Sequence, residues 1–281
     1  MNSLRRLLLV AALFAPASPA LAGLLDLAKD KAKDAIVAKA QERYAPQAPA
    51  VDLPPIRGAA FQGCESHFPS SQPVQFRAAQ NLGLVPLCFD TFATLYSSVT
   101  KTPMVVVERL TKERLQDARD EARTDEFFAD SRLPSQSRAL LEDYAGSGFD
   151  RGHMAPAANQ PNQVAMAQSF ALSNIVPQDP HNNRKVWSKI ESDVRKFARR
   201  ANGSVFVYTG PIFQGGPAGT LGRSRVWIPT HLFKLVYDEA GARAWAYVLP
   251  NTAAAQIEPP MSYAAFKQVT GMDLIPSLRT P

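Results

Sequence analysis

Asp150-Arg151-Gly152-His153-Met154-Ala155-Pro156, followed by Asn174, Asn183 and Glu191, sets a base, a fixed cation and an amide within one short segment of the chain. Hydrolysis of a phosphodiester needs an activated water, stabilisation of charge on the phosphoryl oxygens and help for the departing alkoxide. His153 suits the first task, because an ordinary imidazole is largely neutral near pH 7. Arg151 can hold a phosphate oxygen through two N–H groups. Asn183 offers a neutral oxygen to a hard cation such as Mg²⁺, which prefers oxygen ligands and keeps most of its waters. Asn174 and Glu191 are placed to orient those waters or the histidine. Taken alone, Asp-Arg-Gly-His reads equally well as a turn in which Asp150 pairs with Arg151 while His153 packs nearby. Its surroundings decide between the two.

The strongest periodic signal lies just downstream. A helix is predicted from about Pro180 to Arg200, with Asp179 as its cap and Pro180 in its first turn. Trp187, Ile190, Val194 and Phe197 share one stripe at 100° per residue, Asn183 falls in the middle of it and Glu191 about 80° away at its edge. An amide in an apolar stripe needs partners, and a ligand or metal would supply them. The other elements are short. Phe89 to Ser97, Met104 to Val107, Val205 to Thr209 and Arg225 to Ile228 read as strands, and Leu232 to Tyr237 with Ala244 to Leu249 as a hairpin turning at Asp238 to Gly241. Leu110 to Phe128 reads as a charged surface excursion and Ser147 to Pro156 as a loop. Short strands around one strong helix predict an α+β fold with a mainly antiparallel sheet.

The 281 residues allow one large domain or two small ones. Arg5 and Arg6, the apolar run Leu7 to Phe14 and the small-residue end Ala20-Leu21-Ala22 give residues 1–22 the pattern of a cleaved signal peptide, predicting an exported protein, periplasmic or secreted. The apolar run is too short to span a bilayer, so no stable membrane insertion is expected. Loss of the two arginines lowers the formal charge from +6 to +4, which permits a polyanionic substrate without demanding one. Residues 24 to 44 read as a solvated helix, and Ala45 to Arg57, with Pro46, Pro49, Pro54 and Pro55, as an extended linker. Residues 23–57 thus precede a globular domain of residues 58–281. Cys64 and Cys88, the only two cysteines, are expected to form a disulfide in an oxidising compartment.

The segment Asp150 to Pro156 resembles the signature of the DNA/RNA non-specific endonucleases, the ββα-metal (His-Me finger) nucleases. The likeness continues through Ser173-Asn174-Ile175-Val176-Pro177-Gln178, Asn183 to Trp187 and Glu191. It extends to Tyr208-Thr209-Gly210-Pro211-Ile212-Phe213, Ile228-Pro229-Thr230 and Phe233-Lys234. The resemblance implies a sheet carrying a ββα-metal finger, with His153 on its strand side and Asn183 on its helix. It implies His153 as general base, Asn183 as the direct protein ligand to Mg²⁺ (with Mn²⁺ as an alternative), and Arg151 stabilising the pentacovalent transition state. Asn174 and Glu191 would support the metal waters and the base. The metal would bind the leaving 3′ oxygen, giving 5′-phosphate products from DNA and RNA. One departure is visible: some members carry a further arginine just before an aromatic residue and an Asp. Here that stretch reads Asp125-Glu126-Phe127-Phe128-Ala129-Asp130, leaving Arg123 and Arg132 as unassigned substitutes.

Other candidates are weaker. His181 reads as a surface residue at the helix start, and His67 and His231 lack reactive neighbours. Arg184, Lys185, Lys189, Lys196, Arg199 and Arg200, and separately Arg223 and Arg225, suit either a phosphate backbone or plain solvent. No pattern of base readout is visible. The reading is an endonuclease with little sequence preference, with a homodimer left open. A non-catalytic nucleic-acid-binding protein on the same scaffold and an enzyme for small phosphodiesters are the alternatives.

Overall fold

The computed structural model describes residues 61–74, 82–119, 121–275 and 278. The expected signal peptide, the helix of residues 24 to 44 and the linker all lie outside them. The strands are β1 (Leu84–Cys88), β2 (Phe92–Ser97), β3 (Thr102–Leu110), β4 (Asp150–His153), β5 (Ile175–Gln178), β6 (Val205–Ile212), β7 (Gly219–Leu221), β8 (Val226–Ile228), β9 (His231–Asp238), β10 (Arg243–Pro250) and β11 (Met261–Ser262). The helices used below are α1 (Lys112–Asp117), α2 (Gln163–Ser169), α3 (Ser188–Ala198) and α4 (Tyr263–Thr270). Seven strands form one antiparallel sheet in the order β1-β2-β3-β6-β9-β10-β11, while β4 pairs with β5 and β7 with β8 in separate ribbons. The α+β class and mainly antiparallel sheet expected from the sequence are what the chain forms.

Alternation along the central strands gives the sheet two apolar faces. Val205 and Val207 of β6, with Leu232 and Val236 of β9, pack with Trp187, Ile190 and Val194 on one side. Phe206 and Tyr208, with Phe233 and Leu235, pack with Tyr263 and Phe266 on the other. Successive side chains on a strand point to opposite faces, so a strand covered on both sides must be apolar throughout. That explains the unbroken run Val205 to Tyr208. Each fully buried Val, Leu or Phe contributes about 1.5–3 kcal/mol, so the two helical layers hold the sheet from both sides.

Several sequence expectations shift. β2 begins at Phe92 rather than Phe89, because Asp90 and Thr91 make a tight turn closed by Phe89 N–H to the Phe92 carbonyl at 2.9 Å. The supposed excursion after Leu110 contains α1, capped by Thr111 Oγ1 and anchored by the fully buried Leu115. One apolar residue in a charged helix gave no periodicity to read. The loop before Pro156 contains β4. Helix α4 was not anticipated, although its signals were present: Ser262 caps it through the Ala265 N–H, and Gly271 ends it at φ 70°. Glycine takes that left-handed conformation without a Cβ penalty. Cys64 and Cys88 are bonded, with Cα atoms 5.8 Å apart, tying the segment before β1 to its end. Among the described residues no helix is long and apolar enough to cross a membrane.

Candidate active site

The β4–β5 ribbon carries the first half of the site. Asp150, Arg151, Gly152 and His153 lie opposite Gln178, Pro177, Val176 and Ile175. Gly152 is required by close approach, since a Cβ there would sit 2.1 Å from Gln178 Oε1 and 2.6 Å from Gln178 Cβ. Gln178 is fully buried and donates to Asn182 Oδ1 at 3.1 Å, so it has little room to yield. Gly152→Ala is expected to destabilise the protein by about 1–3 kcal/mol, read as a lower denaturant midpoint.

After His153 the chain is pinned by Asn174. Its Oδ1 accepts from the Ala155 N–H at 2.9 Å, and its Nδ2 donates to the carbonyls of Ala155 and Ser169 at 2.9 and 2.8 Å. Asn174 is fully buried and absent from the cavity wall. Its amide is spent on backbone, so of the two tasks expected of it, orienting metal waters or the histidine, these contacts suit the second, by fixing the turn beyond His153.

The second half comes from the helix after Asp179, whose Oδ1 accepts from the His181 and Asn182 N–H groups at 2.9 and 3.0 Å. The helix does not run regularly. Asn182–Trp187 is a π-turn, in which the Ser188 N–H reaches the Asn183 carbonyl, and regular α-helix follows in α3. The wide turn shifts the face each residue presents. The apolar stripe therefore runs through Val186, Trp187, Ile190, Val194 and Ala198, and the buried amide is Asn182, satisfied by Gln178 and the Pro250 carbonyl. Asn183 is not in the stripe, contrary to the 100° projection. It lines the cavity instead.

That cavity, of about 480 Å³, is bounded by Arg123, Phe127, Asp150, Arg151, His153, Asn183, Arg184 and Glu191 among others. Asp150 ties the two halves together. It accepts from Asn183 Nδ2 at 2.9 Å and from Arg184 Nε and Nη2 at 2.8 and 2.6 Å. Partial burial would raise its carboxyl, but the hydrogen bonds from Arg184 and Asn183 outweigh this and hold its pKa below the usual value. With Nδ2 so engaged, Asn183 Oδ1 has no hydrogen-bond partner among the described residues. Arg151 stands over the Phe127 ring at 4.3 Å, and Arg123 over Phe170 at 5.1 Å. His153 packs against both rings, 5.3 Å from Phe127 and 4.8 Å from Phe170. Its Nε2 is buried without a partner, and burial, aided by Arg123 and Arg151, pushes its pKa down to about 3. Glu191 is largely buried, which raises its carboxyl against the opposing pull of Lys234 and Arg195.

The two substitute arginines separate. Arg132 is held by Asp130 at 2.6 Å, lies 4.2 Å over Phe89 and donates to the Cys88 carbonyl, away from the cavity. Arg123 is at the cavity wall. His181 is exposed, His67 Nε2 contacts the Phe89 carbonyl, and His231 contacts Thr230. Lys189 and Lys196 both pair with Asp193 on the helix surface. Among the described residues no three His, Cys, Asp or Glu side chains gather to hold a metal. A lone amide oxygen beside Asp150 and Glu191 fits a hydrated divalent cation such as Mg²⁺, which needs few protein ligands.

The model for DNA/RNA non-specific endonucleases matches residues 70–279 of the chain. The chain belongs to that family. Members of the DNA/RNA non-specific endonuclease family are divalent-metal-dependent nucleases, and this chain is a nuclease enzyme acting on nucleic acid. It is 33% identical to human mitochondrial endonuclease G over 206 residues, covering 67% of this chain and 69% of that protein. It is 34% identical to human mitochondrial nuclease EXOG over 182 residues, covering 59% of this chain and about half (49%) of that protein. A solved EndoG from an EndoG/EndoGI complex superposes with a TM-score of 0.63 at 26% identity, covering 69% of this chain and 86% of that one. These names overturn the expected periplasmic or secreted location, since both relatives are mitochondrial nucleases. The physical reason is that two arginines and no acid before Asp26 suit an organelle transit peptide as well as a secretory signal.

Proposed function

We propose that this nuclease is a Mg²⁺-dependent endonuclease cutting DNA and RNA with little sequence preference, and that His153 is its general base. The observation that carries the reading is that two residues with unengaged polar atoms line one cavity: His153, whose Nε2 is buried without a partner, and Asn183, whose amide oxygen accepts from none of the described residues. A neutral imidazole with an unengaged nitrogen can take a proton from an attacking water. Arg151 and Arg123, held over Phe127 and Phe170, face the same cavity and can receive charge developing on the phosphoryl oxygens. Asn183 and, through water, Glu191 would hold the cation. Bound there, Mg²⁺ would supply charge stabilisation at the leaving 3′ oxygen, giving 5′-phosphate ends. Asp150 keeps Asn183 and Arg184 in place rather than reacting. All these groups come from one chain, so the proposed chemistry does not require a homodimer. We place the nuclease domain at residues 58–281, after a leader of 1–22 and a segment of 23–57.

Plasmid DNA and a structured RNA, incubated with the purified protein in Mg²⁺, are expected to be cut throughout, with ends open to 5′-phosphate-dependent ligation. Chelation of the metal should abolish cutting, and restored Mg²⁺ should return it. Cleavage that persists in chelator, or 5′-hydroxyl ends, would refute the reading.

A further inference from the structure

Two stretches that match the family pattern, Tyr208-Thr209-Gly210 and Phe233-Lys234, take no part in the chemistry proposed above. They meet at the centre of the main sheet. Thr209 and Lys234 are directly paired across β6 and β9, both are buried, and Lys234 Nζ donates to Thr209 Oγ1 at 2.9 Å. Lys234 is only 1% exposed, on a strand where Leu232 and Val236 belong to the core beneath α3. A lysine in such a place is costly unless an anion lies close by. The anion is Glu191: Nζ is 4.0 Å from its Oε1, with the Trp187 ring centre 5.0 Å away. Burial lowers the lysine and raises the glutamate, and each charge works against the effect on the other. The nearby charges are already committed. Glu108 holds Arg114 at 3.0 Å and accepts from Asn159 Nδ2 at 3.3 and 3.2 Å, and Arg195 reaches Asn159 Oδ1 at 3.4 Å.

We propose that Lys234 is a positioning residue that fixes the Glu191 carboxylate at the cavity wall, so that the cation-binding half of the site is held by the main sheet. A neutral residue at 234 leaves Glu191 buried without its close counter-ion, free to turn away from the cavity. A packing role alone would be met by any side chain of similar length. The inference rests on the Mg²⁺-dependent reading of the site.

The test uses the full chain, with Mg²⁺ affinity from titration calorimetry and kcat and KM on plasmid DNA. Lys234→Met is expected to keep the native circular dichroism, weaken Mg²⁺ binding by about 10–100-fold and lower kcat, with KM for DNA unchanged. Glu191→Gln should lose a similar amount, and adding Lys234→Met to it should cause no further loss, because the lysine acts only through that carboxylate. Mg²⁺ binding like wild type by folded Lys234→Met, or losses that add in the double variant, would overturn the proposal. If Lys234→Met alone fails to fold, the comparison of Glu191→Gln/Lys234→Met with Glu191→Gln decides it, since the double variant removes both charges of the pair and leaves neither buried without the other. Equal affinity and kcat support the proposal, and a further drop overturns it. A wild type that neither binds Mg²⁺ nor cuts DNA would instead defeat the parent reading, and the proposal with it.

Discussion

His153→Ala is expected to lower the cleavage rate by about 10²–10⁴-fold while the protein stays folded. The imidazole is held by packing against Phe127 and Phe170 and makes no hydrogen bond through Nε2. Its removal therefore takes away a base without breaking a structural polar contact. The same burial has a thermodynamic signature. A pKa of about 3 in the folded protein lies below the ordinary value of 6.5, so the unfolded chain binds more protons in between. His153 thus adds nothing against folding above about 6.5, and stability falls as pH drops from there towards 3. In denaturant titrations at several pH values, His153→Ala should show a flatter fall across that window than wild type. Equal slopes would mean that His153 is not buried neutral, and wild-type cleavage by the variant would remove it from the chemistry.

Asn183→Ala is expected to lose activity by about 10²-fold or more, because a bound cation contributes several kcal/mol of charge stabilisation to phosphoryl transfer and each 1.36 kcal/mol is tenfold. The isosteric Asn183→Asp is the sharper variant. It keeps an oxygen for the cation but replaces the Nδ2 donor with a second carboxylate facing Asp150 Oδ2, where the amide now sits at 2.9 Å. Two carboxylates in hydrogen-bond range repel or share a proton. Asn183→Asp should therefore also be impaired, with part of its activity regained at raised Mg²⁺. Full activity of Asn183→Asp at ordinary Mg²⁺ would show that the Asp150 contact does not set the amide's orientation.

The sheet and the two halves of the site were legible because their signals are local. Runs such as Val205 to Tyr208 are apolar throughout and end at Gly210-Pro211, while Asp179-Pro180 marks a helix start. The side on which Asn183 lies was not legible. A regular 3.6-residue repeat places it in the apolar stripe, but the π-turn at Asn182–Trp187 gives that place to Asn182 and turns Asn183 to the cavity. Insertion of one residue into a turn leaves no mark in composition. The pairing of Arg123 with the site, and of Arg132 with Asp130 and Phe89, depended on contacts across the fold. So did the buried Lys234, which in sequence is one lysine in an apolar strand. Nor was it legible which of its two expected tasks, the waters or the histidine, Asn174 is placed for, since only the fold shows both ends of its amide taken by backbone beside His153. The location was misread for a different reason. A sorting signal is read by its receptor, and the folded domain carries no trace of it.

The division of labour between the two halves is tested most directly by Mg²⁺ titration calorimetry on His153→Ala and Asn183→Ala side by side. His153→Ala should bind Mg²⁺ as wild type does although it cuts far more slowly, and Asn183→Ala should show little or no binding. Loss of Mg²⁺ binding in His153→Ala, or undiminished binding in Asn183→Ala, would contradict a site in which the strand supplies the base and the helix the metal.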